Sequence, residues 1–255
     1  MKLKKAFFRF YEELNDFLPA DQRKVSFKYS FSGNPTIKDA IEAIGIPHPE
    51  VDLIVVNSNS VDFNYHLMDG DQVSVYPVFE SIDISPIIKL RAKPLRHTKF
   101  ILDVQLGKLS RWLRLLGFDS QYRNDYQDIE IVKTALAKLR IILTRDQELL
   151  KIKVVNHGYW VRSTDVEKQL VEIINRFDLR SQLNPFTRCM VCNGILEKVE
   201  KRQVINSLLP QTKKYNNEFY QCSICLKVYW KGSHYKKMKN KIEQITKIRD
   251  DQYKK

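Results

Sequence analysis

Two aspartates stand where apolar segments of the chain end. Asp103 lies at the end of the segment Lys99 to Val104, and Asp146 comes just after Ile141 to Thr144. Both segments read as β-strands, and the carboxyl ends of parallel strands meet at one edge of a sheet, where α/β folds place their ligands. A divalent cation between the two carboxylates would offset their repulsion, and Mg²⁺ favours a few carboxylates with water. Such an ion can activate water and stabilise charge on a phosphate.

Further acidic residues surround the strand and helix that lie between these two segments. Asp128 is the best placed of them, because it falls in the first turn of the predicted helix. Structural explanations stay open, since an aspartate after a strand commonly forms a turn or a helix cap, and acidic side chains favour a helix N-terminus. Asp165, in Ser-Thr-Asp, has the pattern of such a cap. The additional acidic candidates are Asp119, Asp125 and Asp165.

The four cysteines form two Cys-x-x-Cys pairs. They are Cys189 with Cys192 and Cys222 with Cys225, and 29 residues separate the pairs. This pattern predicts a tetrahedral zinc site, and four thiolates leave no open position, so the zinc would be structural. We expect a hairpin insertion between the pairs, because the interval exceeds the usual range of about 15–20 residues. A redox pair or four buried thiols are the alternatives, and His234 is not needed as a ligand.

Basic side chains accompany both sets of residues. On the helix after Asp103 they recur at every third position, and around the second cysteine pair they alternate with aromatic residues, which suits stacking on unpaired bases and contact with phosphates. As alternatives, the basic residues after Asp103 could form a solvated helix face, and the aromatic residues could pack the core of a small ribbon around the cysteines. Arg145 could instead pair with a carboxylate. The candidate RNA-binding residues are Lys108, Arg111, Arg114, Arg145, Arg188, Trp230, Lys231 and His234.

The charge of the chain is high and uneven. Its 255 residues carry a net charge of +13, divided as −4 over residues 1–90, +7 over 91–185 and +10 over 186–255. A strongly basic protein favours a polyanionic partner, nucleic acid before membrane. No uncharged segment approaches the roughly 18 residues of a membrane span, and charged residues interrupt the N-terminal apolar run. We therefore expect a cytoplasmic protein.

The order of the predicted elements defines a multidomain fold of class α+β and α/β. Residues 1–80 have two strands, a helix and two more strands, the pattern of a β-grasp domain, and 81–98 read as a linker. Residues 99–185 alternate strands and helices, which predicts a parallel sheet with right-handed crossovers. The cysteines fall in a zinc ribbon at 186–238, followed by a basic tail at 239–255.

Short sequence patterns predict where several of these elements begin and end. Thr36 caps and Gly45 ends the predicted helix of the β-grasp domain. A second helix is predicted over Asp125 to Leu139, and Tyr159 to Arg162 could add a strand. The β-grasp region ends in PVFE rather than Gly-Gly, so we expect no conjugation chemistry there and interpret it as a docking or stabilising module.

Several segments carry a family resemblance. ILDVQLGKLSRWLRLLGFD, ILTRDQELL, FTRCMVCNGIL and CSICLKVYWKGSHY closely resemble the PIN-like ribonuclease family named after the C-terminal region of the nematode Mut-seven protein. TIKDAIEAIGIPHPEVDLIVVN and LMDGDQVSVYPVF resemble the ubiquitin-like domain often fused to that family. The resemblance implies a PIN-like domain that cuts RNA with Mg²⁺ or Mn²⁺. By position, Asp103 and Asp146 look like its strand-end aspartates, and Asp128 stands where the family usually has glutamate.

These observations favour a metal-dependent ribonuclease whose zinc ribbon assists RNA binding. One alternative is a non-catalytic RNA-binding or ribosome-associated module with the same fold, although both Asp103 and Asp146 are present. Another is an adaptor that binds a protein partner through the β-grasp domain. The charge asymmetry fits the first two readings equally.

Overall fold

The computed structural model describes residues 3–77 and 98–247 of the chain. These residues form two compact units, one made of 3–77 with 146–160 and the other of 98–145 with 161–247. The predicted linker lies outside the described residues apart from Thr98, as does the end of the predicted basic tail. No helix within the described part of the chain is long and apolar enough to cross a membrane.

Strands and helices alternate along much of the chain. Up to residue 77 they are β1 (Lys4–Phe10), β2 (Phe27–Phe31), α1 (Ile37–Ile44), β3 (Val51–Val56), β4 (Asn59–Val61) and β5 (Gln72–Pro77). From residue 98 to 176 they are β6 (Lys99–Leu102), α2 (Gly107–Leu115), β7 (Asp119–Tyr122), α3 (Asp128–Lys138), β8 (Ile141–Thr144), α4 (Gln147–Lys151), β9 (Gly158–Trp160) and α5 (Val166–Arg176). The remainder are β10 (Leu196–Val199), α6 (Lys201–Val204), α7 (Pro210–Tyr215), β11 (Phe219–Cys222), β12 (Val228–Trp230) and α8 (Ser233–Lys247).

The first unit contains a β-grasp sheet, as predicted. Its strand order is β2-β1-β5-β3-β4, with β1 and β5 parallel and the other pairs antiparallel. Thr36 and Asp39 form a reciprocal capping box at the start of α1, and Gly45 ends the helix at a φ of 117°. The buried side of α1, which includes Ile41, joins Phe8 of β1 and other apolar side chains in one core.

Residues 146–160 complete the first unit. Their strand β9 begins at Gly158 and overlaps the predicted strand Tyr159 to Arg162 at two residues, whereas the short helix α4 was not predicted. The Trp160 backbone N–H donates to Glu50 Oε1 at 2.6 Å, and the Trp160 ring lies 4.8 Å from the ring of Phe17. These contacts join the segment to the β-grasp residues.

The second unit contains the predicted parallel sheet. Strand β6 lies between β7 and β8 and is parallel to both. Its residues Phe100, Ile101 and Leu102 are fully buried. Helix α2 buries Leu109 and Leu113, which follow the expected apolar face. The Val161 N–H donates to the carbonyl of Thr144 at 2.7 Å, so the chain runs alongside the end of β8 before entering α5.

The cysteine-containing region forms an antiparallel sheet, β10-β11-β12. The interval between the two cysteine pairs contains the antiparallel strand pair β10–β11, in line with the predicted hairpin. Helices α6 and α7, which were not predicted, form the connection between these two strands. Pro210 begins α7, where its fixed φ and missing N–H are tolerated. Helix α8 contacts α5, buries Ile242 and Ile245, and runs without a break through the position where the sequence predicted the start of a tail.

Candidate functional site

A buried carboxylate marks the carboxyl end of β6. Asp103 is only 5% exposed, and two hydrogen-bond donors contact its carboxylate. Oδ1 accepts from the Val104 N–H at 2.6 Å, and Oδ2 accepts from the Thr144 hydroxyl at 2.7 Å. The Asp103 N–H donates to the Leu143 carbonyl at 3.0 Å. The sequence predicted the place of Asp103 but not its partner Thr144, which lies at the end of the neighbouring strand.

The other acidic candidates occupy local structural positions. Asp146 caps α4, with Oδ1 accepting a backbone N–H at 2.8 Å, and Asp128 is the exposed first residue of α3. Asp125 is exposed and binds Arg123 at 2.8 Å. Asp165 caps α5 by accepting two backbone N–H groups, as its sequence pattern predicted. No acidic set of three or more lies close enough together for one ion among the described residues.

Asp119 connects the parallel sheet to the ribbon. Its Oδ1 accepts from Arg140 and from the Asn193 side-chain amide, each at 2.7 Å. Burial alone would raise the pKa of Asp119, but the hydrogen bonds from Arg140 and Asn193 outweigh it and hold the pKa below its usual range. The Asn193 Oδ1 accepts in turn from the Ser120 N–H at 3.0 Å. These bonds give Asp119 a structural role in the second unit.

Arg114 requires a correction. The sequence predicted contact with phosphate, but the residue is only 3% exposed. Its Nε donates to the Ser120 carbonyl at 2.8 Å, and its Nη1 donates to the carbonyls of Met190 and Val191 at 3.2 and 2.8 Å. Burial lowers the pKa of this guanidinium. Arg114 therefore binds the first cysteine loop to β7 and does not face a ligand.

Two other predicted arginines also bind backbone carbonyls. Arg145 donates to the Ser163 carbonyl at 2.9 Å. Arg188 donates to the carbonyls of Gly117 and Asn193 at 3.1 and 3.0 Å. Each side chain is thereby held in place, and Arg188 adds a further link between the ribbon and the parallel sheet domain.

The remaining basic and aromatic candidates lie at the surface. Lys108 and Arg111 are exposed on α2, and His234 is exposed near the start of α8. Trp230 is 38% exposed at the end of β12. Lys231 binds Glu218 at 2.7 Å in an exposed ion pair. These positions are open to a ligand, in contrast to that of Arg114.

The structure brings the four predicted cysteines together. Their Sγ atoms lie within 4.8 Å of one another. The Sγ atoms of Cys189 and Cys225 are 3.6 Å apart, and those of Cys192 and Cys222 are 3.3 Å apart. A tetrahedral zinc with bonds of about 2.3 Å separates its sulfur ligands by about 3.8 Å. The cluster therefore has the donor set and nearly the dimensions of a structural zinc site.

The two cysteine loops have the same backbone design. In the first, Asn193 donates its N–H to the Cys189 carbonyl and has a φ of 72°. In the second, Leu226 donates its N–H to the Cys222 carbonyl and has a φ of 59°. A Cβ on Gly194 would come within 2.7 Å of the Cys222 Sγ, so glycine is required there. The two matched loops therefore direct all four cysteine Sγ atoms toward one another.

A tyrosine supports the cluster from outside. The Tyr229 hydroxyl lies 3.1 Å from the Cys189 Sγ. Burial opposes ionisation of Cys189, but hydrogen bonds from Tyr229 and from nearby backbone N–H groups lower the pKa of this thiol to about 6. Burial, followed by the contact with Cys189, raises the pKa of Tyr229, so the hydroxyl stays protonated and is the donor. Thiolates are the form that binds zinc, so the environment of Cys189 suits a zinc ligand, whereas burial raises the pKa of the Cys192 and Cys225 thiols.

These features define a multidomain protein with a β-grasp domain, a parallel α/β domain and a ribbon whose cysteines are compatible with zinc. A family model described as the Mut7-C RNAse domain matches residues 98–242, and one described as Mut7-C ubiquitin matches residues 3–83. The chain therefore belongs to the Mut7-C RNAse family, which confirms the predicted relationship and indicates a ribonuclease-type function on RNA. No curated protein and no solved structure matches the chain.

Proposed function

We propose that the chain is a metal-dependent ribonuclease that hydrolyses RNA phosphodiester bonds at the carboxyl edge of its parallel sheet. The observation that carries this proposal is the buried Asp103 carboxylate, fixed by Thr144 and the Val104 N–H at the end of β6. A buried carboxylate is costly unless hydrogen-bond donors or a cation satisfy its oxygens. Membership of an RNAse family supports phosphodiester hydrolysis over other chemistry.

The donor chemistry at this edge suits a hard divalent cation. Each Asp103 oxygen accepts one hydrogen bond and retains a lone pair for a metal, and carboxylate oxygens are the ligands that Mg²⁺ and Mn²⁺ favour. We assign the binding of Mg²⁺ or Mn²⁺ to Asp103, and we propose Asp128 and Asp146 as further ligands from the sequence alone, because no three carboxylates of the described residues lie close enough to share one ion. A bound ion of this kind lowers the pKa of water and offsets charge on the phosphate. Thr144 and the Val104 N–H orient the Asp103 carboxylate for this role.

The ribbon and the exposed face of α2 hold the RNA in this proposal. We assign a structural zinc to the four cysteines, which are all free thiols, and a reducing compartment such as the cytoplasm keeps thiols in that form. Lys108 and Arg111 on α2 are exposed and follow Asp103 closely in the chain. We assign to them the neutralisation of backbone phosphates, a contribution that is independent of RNA sequence.

Incubation of the zinc-loaded chain with end-labelled single-stranded and structured RNAs tests this function. Mg²⁺ or Mn²⁺ is added or withheld, because a chelator would also remove zinc. We expect cleavage that needs the added metal and is lost in Asp103→Asn and Asp146→Asn. Asp125→Asn is the matched control, since that exposed carboxylate pairs with Arg123, and it should cleave normally.

Two results would count against the proposal. RNA that stays intact with either metal, yet binds with an affinity that falls steeply as salt rises, would indicate the non-catalytic binding module. Cleavage that survives both aspartate substitutions would show that the assigned carboxylates are not the catalytic ones.

A further inference from the structure

The ribbon borders a groove that the proposed chemistry does not use. The groove has a volume of about 290 Å³ and lies between the ribbon strands, the segment at 185–188 and the first turns of α8. This volume is near the lower limit of small-ligand sites, about 300 Å³, and suits a single flat ring system. Its aromatic lining residues are Phe186, Tyr220, Tyr229, Trp230 and Tyr235.

The aromatic walls are already arranged in this structure. Tyr220 and Tyr229 are direct partners in the register of β11 and β12, so they share one face of the ribbon. The rings of Phe186 and Tyr235 lie 4.4 Å apart and are tilted by 41°. A Cβ on Gly232 would come within 2.9 Å of the Trp230 Nε1, so the backbone at Gly232 lies against the indole ring.

Positive charge borders these walls. Arg188 and Lys231 both line the groove, in a region whose residues 186–255 carry a net charge of +10. Lys231 pairs with Glu218 at 2.7 Å, and both side chains are about half exposed. Exposed pairs of this kind contribute little to stability, so Lys231 can exchange Glu218 for a phosphate.

We propose that this groove binds one unpaired base of single-stranded RNA, stacked against Trp230, with Lys231 contacting the adjoining phosphate. The proposal rests on the proposed function for the choice of RNA as the polymer. An aromatic groove with a cationic rim matches a nucleotide in both of its parts, since the base is flat and apolar on its faces and the phosphate is anionic. An apolar side chain of a protein would make no use of the cationic rim.

Fluorescence anisotropy with a short labelled single-stranded RNA tests the groove directly. The full, zinc-loaded chain is used without added Mg²⁺ or Mn²⁺, so that binding is measured separately from cleavage. Stacking on an aromatic side chain contributes enough that we expect Trp230→Ala to raise the Kd about 5- to 150-fold. Trp230→Phe should retain most of the affinity. Tyr215→Ala is the matched control, because Tyr215 is a 70% exposed aromatic of the same basic region outside the groove.

A second arm changes the ligand instead of the protein. Abasic RNA of the same length should bind the unaltered chain as weakly as normal RNA binds Trp230→Ala, and a blunt duplex should be insensitive to the substitution. Equal affinities of Trp230→Ala and the unaltered chain, or of abasic and normal RNA, would overturn the proposal and leave the groove to a protein side chain. Uncut RNA with Trp230-dependent binding would refute the nuclease function alone, whereas normal cleavage with Trp230-independent binding would refute the groove alone.

Discussion

Asn193 and Asp119 are 74 residues apart in the sequence, and the side-chain amide of Asn193 donates to the Asp119 carboxylate at 2.7 Å. Asn193 directly follows Cys192, and its side-chain oxygen accepts from the backbone N–H of Ser120 on β7. One residue of the first cysteine loop is thus bound to both a side chain and the backbone of the parallel sheet.

Asp119→Ala should destabilise the second unit. The substitution removes the acceptor of Arg140 and Asn193, and hydrogen bonds to charged groups contribute about 1.5–3 kcal/mol each. Chemical denaturation with far-UV circular dichroism measures the change in the free energy of unfolding. Asp125→Asn should leave the unfolding midpoint unchanged, and equal midpoints for Asp119→Ala and the unaltered chain would contradict the role given to Asp119.

The same carboxylate should make stability depend on pH in the acid range. The pKa of Asp119 is lowered in the folded chain, so its contribution is complete above the unfolded pKa of about 3.9 and is lost as the pH falls through the folded pKa. Unfolding free energies measured at several pH values should therefore converge for the unaltered chain and Asp119→Ala at the acid end. A difference that stays constant with pH would show that the charge of Asp119 is not responsible.

Thr144→Val should weaken the proposed metal site without removing a proposed ligand. Thr144 donates to the Asp103 Oδ2 at 2.7 Å, and loss of such an outer contact typically lowers metal affinity or activity about 10- to 100-fold. Titration of Mn²⁺ against cleavage rate measures the shift. Thr144→Ser keeps the hydroxyl and should stay close to the unaltered chain, so identical behaviour of the valine and serine variants would refute a positioning role.

Zinc content should follow the four cysteines. We expect one zinc per chain by elemental analysis, and Cys192→Ser should lose it together with the amide-exchange protection of the ribbon strands. Gly194→Ala should weaken zinc retention against a competing chelator, because the new Cβ would press on the Cys222 Sγ. Full zinc occupancy in Cys192→Ser would show that the metal lies elsewhere or that the site is not built from all four thiols.

Replacement of Lys108 should reduce the salt dependence of RNA binding, whereas replacement of a lysine away from the RNA should not. A lysine that contacts phosphate lowers the slope of log K against log salt by about 1 when it is removed, and we expect this for Lys108→Ala. Lys138→Ala is the matched control, since Lys138 lies in the last turn of α3, away from the helix end that carries Asp128. Equal slopes for both variants would place the RNA on another surface.

Elements with local signals were predictable from the sequence. The cap at Thr36, the positive φ at Gly45 and the apolar segments of β6 and β8 all express preferences of neighbouring residues, so these elements and the parallel order were found. The four cysteines were also predictable, because the metal-ligand pattern is itself local. Helix α4 was not, because it has five residues and no apolar period long enough to detect.

The roles of polar side chains were less predictable. The basic residues at every third position of α2 suggested one exposed face. An α-helix has about 3.6 residues per turn, however, so a side chain three positions further on points in a direction about 60° away from the first. The Arg114 side chain, six positions after Lys108, therefore points about 120° away from the Lys108 side chain, toward the buried side of the helix. The contact between Asn193 and Asp119 has no local sequence signal, since tertiary packing alone brings the two residues together.

The first cysteine loop lies along the edge of β7, and this position has a consequence for the sheet. β7 is an outer strand of the parallel sheet, and outer strands with unpaired backbone groups are templates for unwanted association with other chains. Asn193 takes up the Ser120 N–H, and Arg114 takes up the Ser120 carbonyl while bound to the same loop. The cysteine loop thus covers these backbone groups of β7, so loss of the proposed zinc is expected to expose this flank of the sheet and to favour aggregation.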